Sequence, residues 1–245
     1  MAVVADATSE SLTADGTGVR LRPVWWALLG VSVALNVASM AVPALIHHPL
    51  TRDRGEIQLY LDVFVEGNLP TWWSVGLLVV AAVLYGVTAA LARGPARAES
   101  WGWWCGAALL TLLSLDDHTQ LHERLDRIGR QLVTFDGFPF YWLLPGAVAG
   151  LVVVAALSLL ASRLRGRPRW FVIGGCALLL GSALGMELVQ GLLIASGESG
   201  PLYVLTYHAE ELGENVGVLL LIAAAALSLS IRRRDDGFTV GYRAG

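Results

Sequence analysis

Long apolar blocks separated by short polar stretches run the length of the chain. Six of these blocks are predicted as helices, at roughly 24–46, 73–93, 101–121, 141–162, 170–194 and 202–231. Each is close to the ~20 residues an α-helix needs to cross the hydrocarbon core of a bilayer. Trp25, Trp26, Trp72, Trp73, Trp101, Trp103, Trp104, Trp142 and Trp170 all lie within a few residues of a proposed boundary. Indole rings favour the interface, where an apolar body meets lipid and the N–H stays wet. The segment LHERLDRIGRQL (121–132) is predicted to continue the third span as an amphipathic helix, with Leu121, Leu125 and Ile128 on one stripe.

Composition turns these helices into a class. Of 245 residues, 55% are hydrophobic and only 15% charged, with mean hydropathy +0.60. A soluble domain carries about 25% charge, so there is too little polar surface here to coat a globule in water. The expected fold is an all-α integral membrane protein, a six-transmembrane-helix bundle over 23–231. It would be flanked by a disordered cytoplasmic tail at 1–22 and a basic cytoplasmic tail at 232–245. The first twenty residues lack the apolar core of a signal peptide. Cys105 and Cys176 sit in apolar blocks and read as small buried hydrophobes.

Every basic residue is arginine, and the arginines are segregated. Arg20, Arg22, Arg93, Arg97, Arg163, Arg165, Arg167, Arg169, Arg232, Arg233, Arg234 and Arg243 fall on one side of the predicted spans. Arg52, Arg54, Arg124, Arg127 and Arg130 fall on the other. The positive-inside rule makes the first side cytoplasmic and puts both termini there. The predicted location is the cell membrane, with the bilayer as a partner. A net charge of −3 carries little meaning when charges are segregated, and nothing suggests nucleic-acid binding. No oligomeric state follows from the sequence.

Three spans hold groups that do not belong in lipid. The third contains Ser114, Asp116, Asp117, His118, His122 and Glu123, the fifth Glu187 and Gln190, and the sixth His208, Glu210, Glu211, Glu214 and Asn215. An ionised carboxylate at the bilayer centre costs at least ~2.5 kcal/mol on the insertion scale, so intramembrane acids are candidates for function. Given the predicted orientation, all three clusters lie at similar depth in the outer half. All five histidines (His47, His48, His118, His122 and His208) are on that side as well.

On continuous helices Asp116 and Glu123 nearly eclipse, and His208, Glu211 and Asn215 share a face. The His208/Glu211 and Glu187/Gln190 pairs have i, i+3 spacing. Inward carboxylates with Glu/His i, i+3 pairs are how four-helix di-iron and di-manganese sites are built. So many acids with few cations nearby need protons, metal ions or a cationic ligand. Carboxylate–imidazole ligation suits iron above all, with manganese or zinc as alternatives. The candidate ligands are Asp116, Asp117, His122, Glu123, Glu187, His208 and Glu211, with Glu214 and Glu210 as candidate bases. A metal-free proton or cation pathway and a purely structural polar network remain open. So do headgroup exposure for His118, a place on the solvent rim for Glu210, and loop roles for His47 and His48. In the first outer loop, Pro70 and Trp72 read as a turn and interfacial anchor. Glu66 and Asn68 could instead fold over the site as a lid.

These motifs together resemble something known. The Glu66-Gly67-Asn68-Leu69-Pro70-Thr71-Trp72 stretch, Ser114-Leu115-Asp116-Asp117 followed by Leu121-His122-Glu123, the lone Glu187, and Glu210-Glu211-x-x-Glu214 resemble an uncharacterised family of small bacterial multi-pass membrane proteins. The resemblance covers nearly the whole chain beyond the tails. It implies Asp116, Asp117, His122, Glu123, Glu187, Glu210, Glu211 and Glu214 as matching positions, with Asp117 standing where the family pattern has Glu, and it supplies no reaction. A fainter similarity, to membrane proteins of actinobacterial natural-product clusters that form nitrogen–nitrogen bonds, implies oxidation or an N–N bond-forming rearrangement.

The leading expectation is a metal-dependent membrane enzyme acting on a small or lipid-like substrate, as an oxidoreductase or rearrangement enzyme. The first alternative is a cation- or proton-coupled transporter. Against it, the polar groups stop short of the cytoplasmic half and no two-halves repeat is visible. The second is a metal-dependent membrane hydrolase resembling the seven-span ceramidases through Ser114-x-x-x-His118, although the acid-rich sixth span does not fit that pattern. Serine hydrolysis has no Gly-x-Ser-x-Gly elbow to support it, and haem ligation by His118, His122 or His208 would crowd the ring with carboxylates.

Overall fold

The computed structural model describes residues 22–92, 96–234 and 237–243. Of the tail predicted at 1–22, residues 1–21 lie outside them, as does Arg93, while Arg22 opens the first helix. The elements in chain order are α1 (Arg22–Leu45), α2 (Glu56–Leu61), α3 (Leu69–Leu91), α4 (Arg97–Thr119), α5 (Leu121–Arg124), α6 (Asp126–Leu132), α7 (Leu143–Arg163), α8 (Gly166–Leu180), α9 (Glu187–Ala195), α10 (Pro201–Leu227), β1 (Leu229–Arg234) and β2 (Gly237–Tyr242). A single π-helical stretch, Gly181–Met186, joins α8 to α9.

Four helices are long and apolar enough to cross a membrane: α1, α3, α7 and the continuous Gly166–Ala195 rod formed by α8, the π turn and α9. α4 and α10, at 23 and 27 residues, match them in length. They carry the charged groups instead. Arg97, Glu99, Asp116 and Asp117 lie on α4, and Glu210, Glu211 and Glu214 on α10.

Local chemistry sets the ends that matter. Asn68 caps α3, its side chain accepting from the Thr71 amide, and Pro70 occupies the first turn, where its missing N–H costs nothing. α4 stops at Gln120, which adopts the left-handed conformation (φ 54°, ψ 40°) that non-glycine residues rarely visit. The expected continuation of α4 as one amphipathic helix through 132 is therefore corrected: the chain turns and re-enters as the short α5 and α6. The cause is Asp116. Its Oδ1 accepts the His122 amide at 2.8 Å, a side-chain-to-backbone bond that competes with the helix ladder.

α10 is central, packing against α1, α3 and α8, while α3 lies along α4 and α7 lies against α4 and α8. Close approach of α10 to α8 depends on Gly217, where an added Cβ would lie 2.6 Å from the Leu179 amide nitrogen. The fully packed apolar core, including Tyr85, Trp103, Leu110, Leu160, Val172, Leu219 and Leu221, fills the end of the bundle that carries Arg97, Arg163 and Arg232. The acids lie toward the opposite end.

Four further expectations change here. Trp103 is not an interfacial ring: it is fully buried, edge-on to Tyr85 with centroids 4.8 Å apart. Cys105 is exposed while Cys176 is buried. The helix expected over 202–231 ends at Leu227, and the region expected as a basic tail holds an antiparallel hairpin. In it Leu229 pairs with Tyr242 and Ile231 with Val240, a two-stranded addition to a fold that is otherwise the expected all-α one among the described residues. Tyr242 pins the hairpin to α4. Its hydroxyl donates to Glu99 and accepts from Trp103 Nε1 at 3.4 Å.

Candidate functional site

Between α3, α4, α9 and α10, at the end away from the hairpin, lies a cavity of about 280 Å³. α4 supplies Asp116 and Asp117 from its last turns. Asp117 Oδ2 accepts from Ser74 Oγ on α3 at 2.8 Å. Asp116 holds His122 twice, through the amide and through Nδ1, whose distance to Oδ2 is 3.1 Å. A neutral imidazole that donates from Nδ1 presents Nε2 as its acceptor. The left-handed turn at Gln120 is what brings His122 back over α4.

His122 also packs against Trp142, with ring centroids 4.6 Å apart and the planes tilted by 54°. Trp142, at the start of α7, donates from Nε1 to Glu187 Oε1 at 2.7 Å. Glu187 opens α9 directly after the π turn, a local rewinding that frequently marks functional sites. Gln190, one turn later, donates to Glu210 of α10. Glu211 and Glu214 complete the α10 wall, and Glu66 enters from the loop before α3. That loop is held by Asn68, whose Nδ2 donates to the Leu59 and Asp62 carbonyls at 2.9 and 2.6 Å.

Eight carboxylates (Glu66, Asp116, Asp117, Glu123, Glu187, Glu210, Glu211 and Glu214) thus share the cavity with one imidazole, and among the described residues no arginine lines it. Donor atoms of Glu66, His122 and Glu123 lie within 4.8 Å of one another. Glu66 Oε2 is buried with no hydrogen-bond partner among the described residues, although a buried acceptor normally finds one. Burial pushes the Glu66 carboxyl up to about 7, against the opposing pull of Gln120 and His122. Burial lowers the basicity of His122, but the hydrogen bond to Asp116 and the charges of Asp116, Glu66 and Glu187 outweigh it, leaving the imidazole more basic than usual.

Of the residues singled out in the sequence, Asp116, Asp117, His122, Glu123, Glu187, Glu210, Glu211 and Glu214 all line this space. His208 does not, and its assignment as a metal ligand is corrected. Its Nε2 meets Ser39 Oγ at 3.1 Å, its Nδ1 the Val204 carbonyl at 2.8 Å, and its own carbonyl accepts from Asn36 Nδ2 at 2.9 Å. Three residues along a helix leave side chains about 60° apart. Here α1 takes the His208 side of α10 and the cavity takes the Glu211 side. Asn68 is a cap rather than a lid residue. His47, His48 and His118 are exposed, and Glu210 is half-buried against Gln190 rather than on an open rim. Sequence reasoning underrated Glu66 and overlooked Trp142 as a partner of both His122 and Glu187. For Glu66, the signal was an acid beside Phe64, two residues before a helix cap.

A family model described as Domain of unknown function (DUF8692) matches residues 28–229. The chain belongs to that family. No curated protein matches the chain, and no solved structure does. The match takes in every carboxylate and the histidine of the cavity, and it begins inside α1 and ends at the start of the hairpin.

Proposed function

We propose that the chain is a six-span integral membrane protein that binds divalent metal, as a dinuclear carboxylate/histidine centre, and acts as an enzyme on a small or lipid-like substrate. The observation that carries this reading is the cavity itself: eight carboxylates and His122 with no arginine among the described lining residues. That much negative charge in a half-buried space needs counter-cations. The residues fit a hard or borderline metal, since oxygen donors predominate with one imidazole. Glu66, His122 and Glu123 are close enough to share one ion, and the orphaned Glu66 oxygen would gain the partner it lacks. Glu187, Glu211 and Asp117 would hold a second. Iron or manganese suits such a set better than zinc, whose sites favour nitrogen and sulfur.

When bound, such a centre supplies Lewis-acid or redox chemistry. The chain's own groups do the rest. Asp116 orients His122, Trp142 orients Glu187 and Gln190 orients Glu210, in the manner of hydrogen-bonded residues behind metal ligands. Glu214 or Glu210 would accept a substrate proton. Arginine segregation favours opening of the cavity toward the outer surface. The packed floor formed by Leu219, Leu221 and Tyr85 weighs against a transport path through the bundle.

Metal analysis of the detergent-purified chain tests the proposal. About one to two equivalents of iron or manganese are expected, falling sharply in Glu66→Gln and Glu211→Gln. Less than about a tenth of an equivalent after reconstitution with iron, manganese and zinc would reject it.

A further inference from the structure

At the opposite end of the bundle from the carboxylates, α1, α3 and α10 enclose a second, larger groove of about 630 Å³, floored by Leu229 and Ile231 of the hairpin. Its walls are almost wholly apolar, with Leu84 of α3 and Ile222 of α10 among the lining residues, and its size is that of a ligand site (about 300–1,000 Å³). Two groups break the apolar lining. Arg22, the first residue of α1, is exposed at the groove. One turn later, Trp25 Nε1 is buried and has no hydrogen-bond partner among the described residues. A buried indole N–H normally finds an acceptor.

A cationic guanidinium and an unanswered N–H donor at the head of an apolar slot are complementary to one chemical class. We propose that this groove binds a phospholipid with an anionic headgroup. Its phosphate lies against Arg22, an ester or phosphate oxygen accepts from Trp25 Nε1, and an acyl chain runs down between Leu84 and Ile222. This site rests on the membrane reading of the chain but not on the metal: no carboxylate of the cavity takes part. The end of the bundle carrying Arg22, Arg97, Arg163 and Arg232 is also where an anionic leaflet would lie, and basic residues there attract such lipids.

Native mass spectrometry of the full chain, titrated with phosphatidylglycerol or phosphatidylcholine bearing identical acyl chains, tests the site. The phosphatidylglycerol adduct is expected to half-saturate at about fivefold lower lipid concentration, the effect of one well-placed basic residue. Arg22→Ala should abolish that preference and Trp25→Phe, which keeps the ring and removes the donor, should weaken both lipids. Ala223→Trp, which fills the groove, should remove both adducts. Metal content measured on the same preparations should not change in any variant, so a loss of lipid is separable from a failure of the metal centre. Equal affinity for the two lipids in the unaltered chain, or undiminished adducts in Ala223→Trp, would overturn the proposal.

Discussion

Glu66 and His122 both hold their protons more tightly than the free groups do, so a cation of the proposed centre would compete with those protons. Burial holds the Glu66 carboxyl up near 7, well above the ordinary 4.5, so between those values the folded chain keeps a proton that the unfolded chain has lost. The metal-free fold therefore loses stability as pH rises through that window. Metal binding runs the other way. Both residues must be deprotonated to ligate, so affinity for manganese should climb by up to about tenfold per proton and pH unit as pH rises through the Glu66 value of about 7 and the raised His122 value. A pH series of calorimetric titrations checks this, and an affinity flat from pH 5 to 8 would exclude Glu66 as a ligand. Trp142 gives a second residue-scale prediction. Trp142→Phe keeps an aromatic ring beside His122 but removes the N–H on Glu187, and should weaken metal affinity by about 10- to 100-fold without unfolding the chain. Circular dichroism on the same samples separates that loss from misfolding. The acids were legible in the sequence because charge inside an apolar block is conspicuous. Glu66 was legible only as a loop residue that could fold over the site, and its place among the carboxylates had to wait for the loop's own fold.

Helices carried most of the reading from sequence, and the errors came where a side chain overruled the helical period. Alternation of apolar and polar residues over 121–132 is consistent with one rod, yet Asp116 captures the His122 amide and Gln120 turns left-handed. The eclipsed Asp116/Glu123 pair expected on a straight helix gives way to a tighter arrangement in which His122 returns to Asp116. Likewise, the face shared by His208 and Glu211 is divided between α1 and the cavity, because neighbours on both sides of α10 compete for it. Contact between α8 and α10 rests on Gly217. Gly217→Ala should destabilise the bundle by about 1–3 kcal/mol, since a Cβ 2.6 Å from the Leu179 amide must push the helices apart. Thermal unfolding in detergent measures this. An unchanged midpoint would mean that the two helices can separate at no cost.

For the molecule as a whole, an apolar end, packed at its centre and grooved along α1, α3 and α10, shares one bundle with an acidic hollow end, and the hairpin lies at the apolar end. Tyr242→Phe removes the hydrogen bonds to Glu99 and Trp103 together. It should cost about 1–3 kcal/mol and speed proteolysis within Arg232–Tyr242. The six-span reading is tested by topology: alkaline phosphatase fused after Thr134 should be active and green fluorescent protein fused after Gly245 fluorescent. A dark C-terminal fusion would refute it. The sequence by itself determined that the chain is built of long apolar helices and that its acids cluster toward one end, because both follow from the order of apolar and charged residues alone. Tertiary structure decided which of those residues meet. Side-chain direction on a helix narrows the choice to a face, but the neighbouring element decides whether that face meets a cavity or a packed helix. Only packing could assign His208 to α1, bring Glu66 to the carboxylates, set Trp142 between His122 and Glu187, and fold an arginine-rich tail into a hairpin.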